Sequence, residues 1–294
     1  MLTVDDVREL VARHWAVGPV DVSSLPGGMN STTWTVTGSG GRWVAKAVAA
    51  ASETGFALGL RAAQVVDAAG VPAGAPEPTR QGELRAGTLA LLRRVEGAPL
   101  TGADPREQVL IGTTLGRAHH ALTATTGPGS PGAFPHWVDP GAAHLEVEPW
   151  VRPAVRDALA RYTALRAAGP PLTCAVLHGD PDPGAFLALG DGDCGLIDWS
   201  SAEPGPLLYD LASAALYLGG PDRATALVEA YVATGVLAPS EVERGLDVLH
   251  AVRWAVQADY FAHRVVTDDR TGIDDPGENA KGLHDAREFF GSGG

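Results

Sequence analysis

The spacing of apolar residues predicts an α+β arrangement at the start of the chain. Apolar positions at helical spacing predict a helix over 4–15. Two stretches rich in β-branched and aromatic residues, 32–36 and 42–48, are separated by a glycine-rich turn and predict a hairpin. A helix over 56–69 and a strand over 87–92 complete a small lobe that contains both helix and sheet.

After residue 95 the pattern becomes mainly helical. Helical spacing predicts helices over 106–123, 151–168, 207–218, 224–234, 239–266 and 279–290. Short apolar runs predict strands near 175–177, 186–189 and 195–197. Glycine- and proline-rich stretches at 24–31 and 125–140 predict loops, and 93–99 predicts a linker. We therefore expect an α+β protein with an N-terminal lobe over 1–95 and a larger C-terminal lobe over 96–294.

Composition and charge narrow the class of protein. The chain has 294 residues and a net charge of −13, which argues against nucleic acid or an anionic membrane as a partner and allows a cationic substrate. Its apolar runs are too short to span a bilayer. The acidic N-terminus lacks the basic start and apolar stretch of a signal peptide, so we expect a cytoplasmic location. Cys174 and Cys194 lie in apolar runs and predict buried thiols.

A lysine inside an apolar strand is the first residue that indicates chemistry. The chain has 22 basic residues, yet Lys46 and Lys281 are its only lysines. Lys46 is flanked by Val44, Ala45, Ala47 and Val48, where an unpaired ammonium is costly to bury. Phosphoryl-transfer enzymes place such a lysine at the α- and β-phosphates of a nucleotide. The alternative is a lysine whose stem lies along a half-exposed strand.

A glycine-containing loop precedes the hairpin. Gly27 and Gly28 let the backbone approach phosphates closely, with Asn30 and Ser31 beside them. Such a pair is also common in ordinary turns, so the loop gains meaning only together with Lys46.

Two aspartates, 18 positions apart, follow predicted strands. His178-Gly179-Asp180 comes after the first, and Asp198 ends the second. This layout predicts a general base, Asp180, and a Mg²⁺ ligand, Asp198. His178 is predicted to be mainly a hydrogen-bonding residue of the same catalytic loop.

Other polar residues are assigned to structure. Adjacent histidines on a helix point about 100° apart, so His119 and His120 are predicted to be core or surface residues, not joint metal ligands. Asp210 lies in an otherwise apolar helix and is predicted to be a structural carboxylate that braces the catalytic loop and takes no part in the reaction. The aromatic stretch 253–264 is a candidate wall for a substrate, with core packing as the alternative.

Taken together, these motifs resemble the aminoglycoside phosphotransferase/choline kinase-like family, and the resemblance spans nearly the whole chain. It rests on the loop 25–31, the Lys46 strand, the segment 91–97, Leu177-His178-Gly179-Asp180 and Leu196-Ile197-Asp198-Trp199. It implies a two-lobed protein-kinase-like fold, with a small β-rich N-lobe and a larger, mainly helical C-lobe. It also implies ATP or GTP with Mg²⁺ as cofactors and a hinge that holds adenine by its backbone, with Arg93 and Val95 as the residues concerned.

The sequence departs from the family pattern at two places. The second metal-binding Asn of the family falls on Ala185, five residues after Asp180, and a methyl group cannot bind a metal. The helix expected to give Lys46 a Glu partner offers Gln64 on it and Glu53 at or before its start. Asp182 is a candidate replacement ligand for the metal.

Three functions remain open on the sequence. The first is a phosphotransferase that acts on a hydroxyl of a small, possibly cationic molecule. The second is a pseudokinase-like nucleotide-binding or scaffold protein in which Ala185 impairs catalysis. The third is transfer to a peptide or protein hydroxyl.

Overall fold

The computed structural model describes residues 2–25, 31–49, 52–126, 134–273, 275 and 277–291. The chain forms two compact units. The first comprises 1–101, 178–180 and 184–203, and the second comprises 102–177, 181–183 and 204–294. No helix in the described ranges is both long and apolar enough to cross a membrane.

An antiparallel four-stranded sheet organises the first unit. Its strands, in spatial order, are β1 (Val20–Leu25), β2 (Ser31–Gly38), β3 (Gly41–Val48) and β4 (Leu89–Arg93). The predicted hairpin is confirmed: β2 and β3 pair antiparallel, and Gly38 lies opposite Gly41 at the turn. The predicted loop 24–31 is too long, because Ser24 and Leu25 pair with β2 as the end of β1 and Ser31 begins β2.

The two faces of the sheet have different neighbours. Helix α1 (Val4–His14) starts at a capping box in which Thr3 and Asp6 exchange hydrogen bonds, and it buries Val7 and Val11 in a core with Ala45 of β3. Helix α2 (Glu53–Ala68) belongs to a second core on the other face, where Leu60 packs with Ala90 of β4. Side chains alternate between faces along a strand, so Lys46 projects on the α2 side while Ala45 faces α1.

A second, smaller sheet in the first unit supports the catalytic motifs. It contains β5 (Ala98–Pro99), β7 (Phe186–Ala188) and β8 (Cys194–Leu196), in the order β5-β7-β8. The predicted strands β7 and β8 are confirmed, and the predicted linker 93–99 ends in β5. Both cysteines are buried free thiols, as expected.

The second unit is mainly helical. Its helices are α3 (Pro105–Thr126), α4 (Val151–Ala167), α5 (Leu207–Tyr217), α6 (Thr225–Ala233), α7 (Pro239–Thr267) and α8 (Glu278–Gly291). Helix α3 packs on α6, and α7 packs on α4, α5 and α8. Strand β6 (Cys174–Leu177) pairs with β9 (Glu203–Pro206), most of which lies in this unit. All six predicted helices are confirmed, whereas the sequence did not predict β9.

Candidate active site

A cavity of about 390 Å³ lies within the first unit. Its walls come from the sheet face that carries Lys46, from α2, from the segment after β4 and from the turn after β8. The predicted site residues Ser31, Lys46, Arg93, Val95 and Asp198 all line it. The fold therefore brings together residues that are up to 167 positions apart in the sequence. Gly27, Gly28 and Asn30 lie outside the described residues.

Lys46 is the buried cation of this cavity. It is 5% exposed, and its Nζ lies 2.5 Å from Oδ1 of Asp198. A buried ammonium requires a partner of opposite charge. The partner is the residue that the sequence assigned to the metal, and not an acid of α2.

Asp198 follows β8 in an unusual backbone conformation. Its φ of 66° and ψ of 59° are left-handed, which is uncommon for a residue other than glycine. The hydroxyl of Ser200 donates a 2.8 Å hydrogen bond to Oδ1. Partial burial against the cavity wall would raise the pKa of the Asp198 carboxyl, but the Lys46 ammonium and the hydrogen bonds from Lys46 and Ser200 outweigh it. The net pKa lies below the ordinary aspartate value, so the group is an anion at neutral pH.

The acids of α2 are engaged away from Lys46. Glu53 pairs with Arg85 at 2.9 Å, and Asp67 lies 3.6 Å from Arg93. Gln64 is exposed. The sequence offered no clear Glu partner for Lys46. In the structure, the residues of α2 that face the cavity are small or apolar.

His178 connects the loop after β6 to the Asp198 turn. The side chain is fully buried, and its Nε2–H donates a 2.9 Å hydrogen bond to the carbonyl of Ile197. A carbonyl only accepts, so Nε2 carries the proton. The ring also meets the indole of Trp199 edge-on, with 4.8 Å between centroids. These contacts fit the predicted hydrogen-bonding role.

The other candidate site residues in the loop after β6 differ in their surroundings. Asp180 is exposed and belongs to the first unit, whereas Asp182 is exposed and belongs to the second. Neither is among the described residues that line the cavity. Ala185 is buried, and its carbonyl accepts a 2.9 Å hydrogen bond from the N–H of Ile197. Its side chain offers no oxygen to a metal.

The segment after β4 is anchored by its backbone. The N–H of Arg93 donates to the carbonyl of Ala75 at 3.0 Å, and the N–H of Arg94 donates to the carbonyl of Arg42 at 3.1 Å. The carbonyl of Arg93 points towards Gly74, where an added Cβ would lie 3.6 Å from it. Arg93, Arg94 and Val95 of this segment line the cavity, and Gly74 lies beside the carbonyl of Arg93.

The two histidines are placed as predicted, His119 in the core and His120 at the surface. His119 is fully buried and bridges Tyr231 Oη at 2.7 Å and Asp210 Oδ2 at 3.0 Å. In the candidate wall 253–264, Trp254 stacks on Phe289 with 5.3 Å between centroids. That contact joins α7 to α8, which favours the core-packing alternative for this residue.

Comparison with known proteins agrees with this architecture. The model of the phosphotransferase enzyme family, APH, matches residues 21–247. This range covers well over half of the chain, so the chain belongs to that family. A search of curated proteins finds no match.

Solved structures share the fold over nearly the whole chain. Amicoumacin kinase hAmiN, in complex with AMP-PNP, Ca²⁺ and Ami, has a TM-score of 0.72 at 12% identity, covering 98% of this chain and 92% of that one. Aminoglycoside phosphotransferase APH(4)-Ia has a TM-score of 0.65 at 20% identity, covering 99% and 100%. Macrolide 2'-phosphotransferase MphH from Brachybacterium faecium has a TM-score of 0.57 at 16% identity, covering 96% of each chain. The predicted protein-kinase-like fold is therefore confirmed.

Proposed function

We propose that this protein transfers the γ-phosphoryl group of ATP to a hydroxyl of a small molecule, with Mg²⁺ as cofactor. The observation that carries the proposal is the pairing of Lys46 with Asp198 inside a cavity of nucleotide size. A buried lysine and a strand-end aspartate are the groups that phosphoryl-transfer enzymes use for the nucleotide phosphates and the metal.

The nucleotide base is assigned to the segment after β4. We assign the carbonyl of Arg93 as the acceptor and the N–H of Val95 as the donor for the edge of the base, because both residues line the cavity. Adenine presents an amino donor beside a ring acceptor, whereas guanine presents O6, an acceptor, in place of the amino group. This assignment pairs the carbonyl with the amino group of adenine and the N–H with its ring acceptor, and it is the reason that ATP is proposed. Ser31, at the start of β2, is assigned to the phosphates together with Gly27, Gly28 and Asn30.

The carboxylate at the cavity suits a Mg²⁺ ion that binds together with the nucleotide. Among the described residues lining the cavity, Asp198 is the one carboxylate. Mg²⁺ is commonly held by one or two carboxylates plus phosphate oxygens and water. Asp198 would hold the ion, and Asp182 is the proposed second oxygen in place of the missing Asn. When bound, the ion neutralises charge on the phosphates.

Asp180 is assigned the proton transfer. Its carboxylate accepts the hydroxyl proton of the acceptor while that oxygen bonds to the γ-phosphorus. The bond between the γ-phosphorus and the β–γ bridging oxygen breaks, and ADP leaves. His178 acts as a positioning residue, because its hydrogen bond to Ile197 joins the catalytic loop to the turn that carries Asp198.

For the molecule that receives the phosphoryl group, we propose a chemical class and not a particular compound. Solved structures of similar fold include a spectinomycin phosphotransferase and a macrolide 2'-phosphotransferase. A hydroxylated small molecule is therefore the proposed substrate, and the net charge of −13 suits one that carries amines.

A second candidate is a nucleotide-binding protein with impaired catalysis. The observation that favours it is Ala185, which is buried and has no side-chain oxygen where the family places a metal ligand. This candidate retains the nucleotide contacts and loses the dependence on metal.

Thermal unfolding with ATP or GTP, each with Mg²⁺ or with EDTA, separates the two. Ligand that binds the folded state raises the melting temperature by mass action. The phosphotransferase predicts a larger shift with Mg²⁺ than with EDTA, and Asp198→Ala should remove the difference. Asp21→Ala, which replaces an exposed acid of β1, is the control and should behave as the wild type. The same shift in melting temperature with Mg²⁺ and with EDTA would favour the second candidate. No shift with either nucleotide would refute both candidate functions.

A further inference from the structure

Helix α2 approaches the turn after Asp198 at an unusually short distance. A Cβ placed on Gly59 would lie 1.8 Å from the carbonyl oxygen of Trp199 and 2.8 Å from its carbonyl carbon. These atoms are backbone and cannot rotate away. The main chains of α2 and of the turn are therefore in direct contact, and residue 59 has no space for any side chain.

The turn in question determines where the Asp198 carboxylate lies. Asp198 is in the left-handed region, which persists for a non-glycine residue only when the surrounding structure enforces it. The next residue, Trp199, is buried, and its indole N–H donates a 2.9 Å hydrogen bond to the carbonyl of Leu196. The Asp198 side chain itself is 55% exposed. Lys46 and Ser200 hold its Oδ1, and the backbone on either side determines where the side chain starts.

The usual connection between such a helix and the nucleotide site is an ion pair to the lysine. Here the two acids of α2 bind elsewhere, Glu53 to Arg85 and Asp67 to Arg93. Lys46 pairs with Asp198 directly. At Gly59, α2 is connected to the site by main-chain packing and not by an ion pair. The packing is on Trp199, the residue next to Asp198.

We infer that Gly59 is a positioning residue for the metal-binding aspartate. The backbone of α2 packs on Trp199 and fixes the turn that places Asp198 at the cavity. The inference rests on the proposed role of Asp198 as the Mg²⁺ ligand. It adds to the metal site a residue that has no side-chain atom to bind the metal and that acts through its main chain, at the wall of the same cavity.

The chain offers a matched control on the same helix and the same turn. A Cβ on Gly55 would lie 3.7 Å from the carbonyl oxygen of Ala202 and 3.8 Å from that of Ser200, which are ordinary contacts. Gly55→Ala and Gly59→Ala are therefore the same substitution, one turn apart, with and without a clash. Alanine favours helix over glycine, so any loss in Gly59→Ala does not come from helix propensity.

The test titrates Mg²⁺ into protein saturated with AMP-PNP and follows binding by calorimetry. Residues that orient a metal ligand contribute about 10–100-fold to metal affinity. Gly59→Ala should raise the half-saturating Mg²⁺ concentration by about tenfold or more, while AMP-PNP affinity in EDTA stays that of the wild type. Gly55→Ala should match the wild type in both measurements.

Each other outcome overturns one claim. A wild type whose AMP-PNP binding ignores Mg²⁺ overturns the proposed function, whatever the variants do. If the wild type responds and Gly59→Ala matches it, the role of Gly59 is refuted. The same holds if Gly59→Ala loses AMP-PNP binding in EDTA, or if Gly55→Ala shows the same Mg²⁺ defect, since either points to general distortion.

A measurement on the unmodified protein covers the case in which Gly59→Ala does not fold. Hydrogen–deuterium exchange is compared with AMP-PNP in EDTA and with AMP-PNP plus Mg²⁺. Peptides from α2 around residue 59 should gain protection together with peptides from 196–201 when Mg²⁺ is added. Protection at 196–201 without any change in α2 would refute the coupling.

Discussion

The Nζ atom of Lys46 lies 2.5 Å from Oδ1 of Asp198, so the groups assigned to the nucleotide phosphates and to the metal form one ion pair. The two residues are 152 positions apart and are brought together by β3 and by the turn after β8. With the acids of α2 engaged elsewhere, Asp198 neutralises the buried ammonium. A phosphate group and a cation would each replace one half of this pair when Mg²⁺-nucleotide binds.

Lys46→Met should weaken ATP binding, measured by calorimetry, by about tenfold or more, because a buried charge-assisted contact to phosphate contributes about 1.5–3 kcal/mol. Methionine keeps the length and apolar character of the stem. Lys281→Met is the control, since Lys281 is the only other lysine and forms a 3.0 Å pair with Asp285 on the exposed face of α8. Equal affinities for the two variants would contradict the assignment of Lys46.

Asp182→Ala should weaken binding of AMP-PNP in the presence of Mg²⁺ and leave binding in EDTA unchanged. The reason is that Ala185 provides no ligand and Asp182 is the proposed second oxygen from the same loop. We expect a loss of about tenfold, at the low end for groups that tune a metal site. Asp21→Ala serves again as the control, and an unaltered Mg²⁺ response in Asp182→Ala would remove Asp182 from the site.

His250 should make folding stability fall as the pH decreases from about 6.5 to about 4. Burial lowers the pKa of its imidazole to about 4, and nearby Arg253 adds to this while Asp247 opposes it. The indole N–H of Trp254 donates to Nε2 at 3.2 Å, which requires that nitrogen to be unprotonated. The folded state therefore favours neutral His250, whereas the unfolded chain takes up a proton below about pH 6.5.

The resulting loss approaches about 3 kcal/mol at pH 4, because one unit of pKa corresponds to about 1.4 kcal/mol. Chemical unfolding of His250→Gln across this range should show a shallower pH dependence than the wild type. His284→Gln, at an exposed position on α8, should retain the wild-type slope. Parallel pH curves for all three proteins would show that His250 does not titrate as described.

Removing the hydroxyl should change the free energy of unfolding differently at two buried tyrosines of the second unit. The described part of the chain offers Tyr162 Oη no hydrogen-bond partner, whereas Tyr231 Oη bonds His119 at 2.7 Å. Tyr162→Phe should leave the free energy of unfolding unchanged or raise it by up to about 1 kcal/mol, and Tyr231→Phe should lower it by about 1–3 kcal/mol. Urea denaturation measures both, and a larger loss for Tyr162→Phe would contradict the assignment.

Local pattern was sufficient for most of the fold. The helices from 105 onwards have clear periodicity, and the β2–β3 hairpin is defined by its glycine turn. Strand β9 was missed because its sequence, Glu-Pro-Gly-Pro, contains residues that strands disfavour, and it forms by pairing with β6. Strand β1 was not predicted: its sequence contains an Asp and two Ser residues, its end precedes Pro-Gly-Gly, and it forms by pairing with β2.

The site was predictable in its residue types and less so in its contacts. Lys46 stood out as a lysine in an apolar strand, and Asp198 as an acid at the end of one. Their pairing joins β3 to the turn after β8, and α2 meets the same turn where Gly59 lies against Trp199, 140 positions away in the sequence. The sequence around a helical glycine does not indicate which distant residue packs on it. The contact between Gly59 and Trp199 therefore could not be predicted from local pattern.

The most direct test of the central claim is ADP formation from ATP in a screen of hydroxylated amines, sugars and macrolides, with wild type and Asp180→Asn. The account predicts ADP formation that requires both Mg²⁺ and one class of acceptor. It also predicts that Asp180→Asn lowers the rate about 10²–10⁴-fold while ATP affinity is retained. A wild type that binds ATP and yields no ADP with any acceptor, or an Asp180→Asn variant as fast as the wild type, would contradict it.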